Sequence, residues 1–179
     1  MFCFVIGGAG SGKSAYAEHL AAAAPGPRYY LATMQPCTGP ETAARIARHR
    51  AMRAGKGFVT IERPLDLAGL RLPGPGTVLL EDLSNLAANE RYAPGGAGTA
   101  ALPALLAGVE ALLAQSTHLV VVANEIFSGG ADYAGDTGAY LQMLAAAHRT
   151  LAARADAVCE VVCGLPVWYK GKEPDFSHG

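Results

Sequence analysis

Apolar residues along this chain fall in short unbroken runs separated by longer stretches of helical pattern. The runs are 2–6 (Phe-Cys-Phe-Val-Ile), 28–33, 58–62, 77–82, 118–123 and 157–163. Most are apolar at successive positions rather than alternating, as expected of strands covered on both faces of a parallel sheet. Between them, 14–24, 41–53, 83–91, 99–115 and 139–154 read as helices. Pro25-Gly26-Pro27 stops the first, and Pro103 sits in the first turn of the fourth, where proline is tolerated. The 63–76 stretch, with Pro64, Pro73, Gly74, Pro75 and Gly76, is turn-rich and predicts one short helix. Gly164-Leu165-Pro166 is too short to cross over a sheet, so 157–163 and 167–170 predict an antiparallel hairpin. The pattern therefore predicts a single α/β domain over 1–179, with a mostly parallel sheet flanked by helices and an antiparallel C-terminal hairpin. Residues 171–179 read as a loose tail.

The first turn after the first strand carries the clearest chemistry. Gly7-Gly8-Ala9-Gly10-Ser11-Gly12-Lys13-Ser14 has the spacing of a phosphate-binding P-loop. Its glycines let backbone N–H groups converge on an anion, and the helix that follows adds the positive end of its dipole. Lys13 is placed to reach the β- and γ-phosphates, and the Ser14 hydroxyl to ligate Mg²⁺. Thr77-Val-Leu-Leu-Glu81-Asp82 is an apolar strand ending in two acids, the Walker B pattern, with Glu81 or Asp82 expected on the metal. Glu62 also ends a strand, and Asn124-Glu125 end another at the carboxyl edge of the sheet, where open α/β folds bind ligands.

Wound at 100° per residue, the 41–53 helix puts Arg45, Arg48, His49 and Met52 on one side and Ala43, Ile46, Ala47 and Ala51 on the other. A neutral imidazole among Arg45, Arg48 and Arg53 suits attack on phosphorus, with the guanidiniums holding the phosphate charge. From the residues alone the pattern more readily describes a solvated basic face. His19, His118, His148 and His178 have nothing comparable around them and read as surface or satisfied core residues.

Composition narrows the class. With 51% hydrophobic and 16% charged residues the 179-residue chain is globular. Fourteen basic against fifteen acidic residues, net −1, give no nucleic-acid footprint. No apolar run approaches the roughly 20 residues of a membrane span, and no basic leader precedes the first strand. Cys3, Cys37, Cys159 and Cys163 form no CxxC pair. Cys159 and Cys163 read as lying about 13 Å apart on one strand, too far for a disulfide or shared metal. Reduced cysteines in a cytoplasmic protein are the expectation.

The chain resembles the bifunctional adenosylcobinamide kinase/adenosylcobinamide-phosphate guanylyltransferase family of cobalamin biosynthesis. The matching pieces are GGAGSGKS (7–14), YLAT (30–33), ETAARIARHR (41–50), VTIERPLDL (59–67), LEDLSNLAANE (80–90), VVVANE (120–125) and LAARADAVCEVVCGLPVWYKG (151–171). The resemblance implies a RecA-like P-loop sheet, a homotrimer and two reactions. In the first, the P-loop site, with Lys13 and Glu81, phosphorylates the aminopropanol hydroxyl of adenosylcobinamide from GTP or ATP. In the second, His49 takes GMP from GTP and passes it to the phosphorylated corrinoid, with Arg45, Arg48, Glu62 and Glu81 contributing to nucleotide binding. Gly10 stands where the family usually has arginine, and 126–149 departs from the family's loop and helix pattern. That departure keeps two alternatives open: a nucleotide-binding paralogue without corrinoid activity, serving regulation or a partner, and a P-loop kinase of another small alcohol. Nothing in the residues distinguishes guanine from adenine.

Overall fold

A computed structural model describes residues 1–35, 47, 55–127 and 135–176. Among the described residues seven strands form one sheet: β1 (Phe2–Gly7), β2 (Arg28–Ala32), β3 (Phe58–Glu62), β4 (Thr77–Glu81), β5 (His118–Asn124), β6 (Ala157–Val162) and β7 (Leu165–Lys170). Their order is β3-β2-β4-β5-β1-β6-β7, with every neighbour pair parallel except β6–β7. The helices given bounds among the described residues are α1 (Lys13–Ala23), α2 (Leu83–Tyr92), α3 (Ala101–Gln115) and α4 (Gly135–Arg154), with 3-10 turns at Leu67–Gly69 and Gly98–Ala100. This is the mostly parallel α/β sheet with an antiparallel C-terminal pair that the apolar pattern predicts.

Alternate side chains of each strand face opposite ways, so the same strands feed two cores. Phe2, Phe4, Val78, Leu80, Leu119 and Val121 pack with Leu86 of α2, Leu105, Val109 and Leu112 of α3, and Leu144 and Leu151 of α4. Cys3, Val5, Leu79, Val120 and Val122 pack on the other side with Ala17, Leu20 and Ala21 of α1. Full burial of each Val, Leu or Phe contributes roughly 1.5–3 kcal/mol, which fixes the central strands most firmly. Helix α3 comes close to the Leu67–Gly69 turn because residue 108 is glycine: a Cβ there would lie 2.7 Å from that of Leu67.

Gly98–Gln115 has the length and apolarity of a membrane span. It is also a crossover element between two strands of the sheet, with Ala101, Leu105, Val109 and Leu112 buried, and reads as a core helix on that ground.

The structure departs from the sequence pattern in four places. Helix α4 starts at Gly135, four residues before the expected Ala139. Tertiary contacts hold that first turn: Asp136 pairs with Arg91 at 3.1 Å and its carbonyl accepts from the Tyr92 hydroxyl. Cys163 is not in β6. It is exposed, with φ 51, and shares a two-residue turn with Gly164 at φ 81. Two left-handed residues match the twist of the flanking strands, so the turn is Cys163-Gly164 and Pro166 lies inside edge strand β7, opposite Val161. The expected loose tail is docked as far as Phe176: Pro174 is buried and the Phe176 ring lies 4.6 Å from that of His118. The apolar ring wins here over the terminal position. Finally, His118 is buried with neither ring nitrogen hydrogen-bonded among the described residues. The helix expected at 41–53 lies outside the described residues except for Ala47, which is helical and exposed.

Candidate active site

Strand β5 lies between β1 and β4, and the candidate site is built across the carboxyl ends of all three. The loop after β1 turns tightly, with Ser11 N–H donating to Gly8 O at 3.2 Å and with Gly10 and Gly12 at φ 73 and 91. Gly12 caps α1 in this left-handed conformation and offers no side chain, so the first N–H groups of α1 have no side-chain acceptor among the described residues. No acid sits in the helix's first turn either. Such an end attracts an anion through its unspent donors and its dipole.

The floor of the loop was not legible in the sequence. Gly164, in the β6–β7 turn, donates its N–H to Ser11 O at 2.8 Å, and a Cβ on Gly12 would come within 3.1 Å of Gly164 Cα. At Gly7 a Cβ would lie 2.5 Å from Ser11 Oγ and 2.8 Å from Val161 O. These two glycines are thus required by close approach, whereas Gly8 and Gly10 have open space on the Cβ side. Ala9 is exposed at the loop's tip.

Lys13 is buried to 7% exposure, and its Nζ donates to Gly8 O at 3.1 Å, across its own loop. Ser14 Oγ donates to Glu81 Oε1 at 2.6 Å, joining the first turn of α1 to the end of β4. The other carboxylate oxygen, Glu81 Oε2, is buried without a hydrogen-bond partner among the described residues. Desolvation pushes the Glu81 carboxyl up to about 7, helped by the Asp82 charge and opposed by the Ser14 hydrogen bond and the Lys13 charge. A divalent cation arriving beside Ser14 and Glu81 would meet one hydroxyl and one carboxylate with bonding capacity left over.

Asp82 is already hydrogen-bonded within the fold. Its Oδ1 accepts from the Asn85 backbone N–H at 2.6 Å, capping α2, while Oδ2 accepts from Asn124 Nδ2 at 3.0 Å. Its own N–H donates to Thr33 Oγ1 at 3.0 Å, and that hydroxyl is also within reach of Asp82 O at 2.9 Å. Asn124 N–H donates to Ser84 Oγ at 3.0 Å, and Asn89 Nδ2 bridges Thr33 O and Pro64 O. This network sews the ends of β2, β4 and β5 to α2. Glu125 N–H donates to Gly7 O at 2.9 Å, continuing the seam to the phosphate loop.

Glu62 is exposed and ends β3, level with Glu81 but two strands away, about 10 Å across the sheet. His49, Arg45, Arg48 and Arg53 lie outside the described residues. His148, read as surface or satisfied core, sits instead with the Phe4 and Phe127 ring centroids each 5.3 Å away and its Nε2 unpartnered among the described residues. Burial pushes it down to about 4, with Glu125 opposing.

Mg²⁺ suits this donor set. Among the described residues no three His, Cys, Asp or Glu cluster as an all-protein metal cage. Mg²⁺ needs none, since it is held by one or two protein oxygens together with phosphate oxygens and water. The orphaned Glu81 Oε2 and the Ser14 hydroxyl supply that minimum.

Residues 3–168 match the family model described as cobinamide kinase / cobinamide phosphate guanyltransferase. The chain is also 34% identical over 176 residues to the bifunctional adenosylcobalamin biosynthesis protein CobP of Pseudomonas aeruginosa, covering 94% of this chain and 96% of that one.

Proposed function

The chain belongs to the cobinamide kinase / cobinamide phosphate guanyltransferase family, enzymes of cobalamin biosynthesis, and on that premise we propose how its residues divide the two transfers. The carrying observation is the 2.6 Å bond between Ser14 and Glu81, which joins the phosphate loop to the acid at the end of β4.

In the kinase step the triphosphate of GTP or ATP lies in the loop Gly7-Gly8-Ala9-Gly10-Ser11-Gly12. Backbone N–H groups and the start of α1 hold the β- and γ-oxygens. Lys13 moves from Gly8 O onto those oxygens and offsets the charge that builds as the γ-phosphorus is transferred. Ser14 and Glu81 would hold Mg²⁺, which would supply neutralisation of the triphosphate charge. Asp82 serves as the cap that keeps Glu81 in place. The cobinamide hydroxyl attacks the γ-phosphorus, the bridging oxygen leaves with the nucleoside diphosphate, and the hydroxyl proton passes to solvent.

In the guanylyl step a neutral His49 nitrogen attacks the α-phosphorus of GTP, and pyrophosphate leaves. Arg45 and Arg48 hold the α-phosphate and, by like-charge repulsion, favour the neutral imidazole. The phosphate of cobinamide phosphate then attacks phosphorus, breaks the P–N bond and gives cobinamide-GDP with the imidazole restored. Glu62 belongs to the nucleotide-binding set of this step. The reading includes a homotrimer in a reducing cytoplasm.

The test is chemical. Purified protein incubated with GTP, Mg²⁺ and adenosylcobinamide should yield both the phosphorylated and the guanylylated corrinoid. With α-³²P-labelled GTP it should acquire an acid-labile, alkali-stable label, and His49→Ala should lose that label while still phosphorylating the corrinoid. Equal labelling of the mutant would move the nucleophile elsewhere and leave the kinase assignment standing.

A further inference from the structure

Helix α4 lies in the part of the chain that leaves the family pattern, and its first two turns are tied to α2. Arg91 pairs with Asp136 at 3.1 Å, and the Tyr92 hydroxyl donates to Asp136 O at 3.2 Å. The Tyr140 hydroxyl donates to Ser84 O at 3.0 Å. Ser84 Oγ accepts from the Asn124 N–H, and the Asn124 amide reaches Asp82, so Tyr140 is connected to the ends of β5 and β4. The Tyr92 and Tyr140 ring centroids lie 6.0 Å apart, with the planes tilted by 43°.

Both hydroxyls are engaged inside the fold, so what the pair presents outward is ring. Tyr140 packs on the core, whereas Tyr92 is 50% exposed although its hydroxyl is held. A large apolar ring left half in water forgoes burial. A ring already fixed also loses little further freedom when a ligand covers it. The Arg91 guanidinium carbon is 6.0 Å from the Tyr92 centroid, and the exposed Asp136 carboxylate stands beside it. Ile126, two residues past Asn124 (126 − 124), adds an exposed apolar side chain after the same strand.

The phosphate loop and this patch use opposite faces of the same strand ends. Glu81 follows Leu79 on the α1 side, while Tyr140 packs on the core that holds Leu80 and Val121 on the other side. In phosphoryl transfer the attacking and leaving oxygens stand roughly in line across phosphorus. The acceptor therefore enters from the side away from the nucleoside. A corrinoid acceptor is a broad, flat macrocycle with apolar faces and amide side chains. Tyrosine faces suit the ring, and a carboxylate with a guanidinium suits the amides.

Resting on cobinamide as the acceptor, we infer that Tyr92 and Tyr140 form the platform on which its corrin ring lies during phosphoryl transfer, with Asp136 and Arg91 taking the amide side chains. The nucleotide makes no use of this platform.

Binding measured apart from chemistry tests this. Dicyanocobinamide, followed by its visible absorption, is dialysed to equilibrium against wild type and variants. The KM for GTP, the melting temperature and the sedimentation coefficient are measured beside it. Tyr92→Ala should weaken corrinoid binding about tenfold or more, with the KM for GTP and the melting temperature unchanged. Tyr92→Phe keeps the ring and loses only the bond to Asp136 O, so it should bind within about twofold of wild type. Wild-type affinity in Tyr92→Ala overturns the inference alone. So does a fall in corrinoid and GTP affinity together with the melting temperature, which would make the ring a structural strut. A changed sedimentation coefficient with unchanged corrinoid affinity would assign the face to a second copy of the chain and overturn it as well. Wild-type protein that neither binds nor phosphorylates a corrinoid overturns the acceptor itself, and the inference with it.

Discussion

At the end of β4 the Glu81 carboxylate takes one hydrogen bond, from Ser14, and keeps a buried oxygen without a partner among the described residues. One residue on, the Asp82 carboxylate caps α2 through Asn85 and takes a second bond from Asn124. Glu81 is the last residue of β4 and partly buried, Asp82 follows it and is buried, and either fits the Walker B pattern. They differ in how much bonding capacity the fold has already used. Asp82 is spent on holding β4, β5 and α2 in register, and removing it should cost structure. Desolvation raises the Glu81 carboxyl to about 7, and it has an oxygen to give, so removing it should cost chemistry. A buried polar group left incomplete raises the free energy of the fold by about 1–3 kcal/mol, and a bound ligand can recover that cost.

The largest effect should come from the incomplete side of the site. Lys13→Ala removes the ammonium that now rests on Gly8 O. It should lower kcat/KM for corrinoid phosphorylation on the order of 10²–10³, with little change in melting temperature. Steady-state rates beside a thermal melt read both quantities.

Asp82→Ala should do the reverse. Loss of a helix cap at about 1 kcal/mol and of a partner for the partly buried Asn124 amide at about 1 kcal/mol sum to roughly 2 kcal/mol of stability. Denaturant unfolding would measure it, and an unfolding midpoint equal to wild type would erase the contrast between the two acids.

The Glu81 carboxyl gives the contrast a pH signature. Its folded value of about 7 lies above the ordinary 4.5. The stability it lends the ligand-free protein is therefore full below 4.5 and is lost as pH rises through about 7. Binding Mg²⁺ and triphosphate should ionise it, releasing close to one proton at about pH 6 and almost none at about pH 8.5. Calorimetry in two buffers of different ionisation enthalpy counts those protons. The same release persisting in Glu81→Gln would assign it to another group.

His148 sharpens the comparison from outside the site, since its Nε2 is also unpartnered among the described residues but lies between two phenylalanine rings. Its folded value of about 4 is below the ordinary 6.5, so its contribution is present above 6.5 and is lost as pH falls towards 4. His148→Phe should remove about 1–2 kcal/mol of acid-side destabilisation by about pH 5 without touching either transfer. A loss of kinase activity in that variant would mean that unspent capacity marks function even in an apolar setting.

Much of this was legible in the sequence, for physical reasons that differ by region. Continuous apolar runs gave the buried parallel strands, and the glycine spacing gave the phosphate loop, because both are local patterns with a single solution. The hairpin turn was misplaced by one residue because glycine and proline both signal turns, and only tertiary pairing shows that Pro166 sits in an edge strand. The docked tail was missed because Phe176 finds its partner, His118, 58 residues away in sequence (176 − 118). For the same reason no pattern could separate Glu81 from Asp82: their roles are set by Ser14, Asn124 and Thr33, which come from three other parts of the chain. The seat of the loop on Gly164, 152 residues from Gly12 (164 − 12), is equally non-local.

The most direct measurement is phosphoryl transfer from γ-³²P-GTP to adenosylcobinamide by Glu81→Gln and Asp82→Asn, each normalised to the folded fraction. Glutamine keeps the shape and the Ser14 contact but removes the charge a metal requires. The account predicts a loss on the order of 10² or more for Glu81→Gln, with a raised requirement for Mg²⁺. It predicts that Asp82→Asn, once folded, transfers within about threefold of wild type. A folded Asp82→Asn that is inactive, beside a Glu81→Gln that still transfers, would contradict it and exchange the two roles.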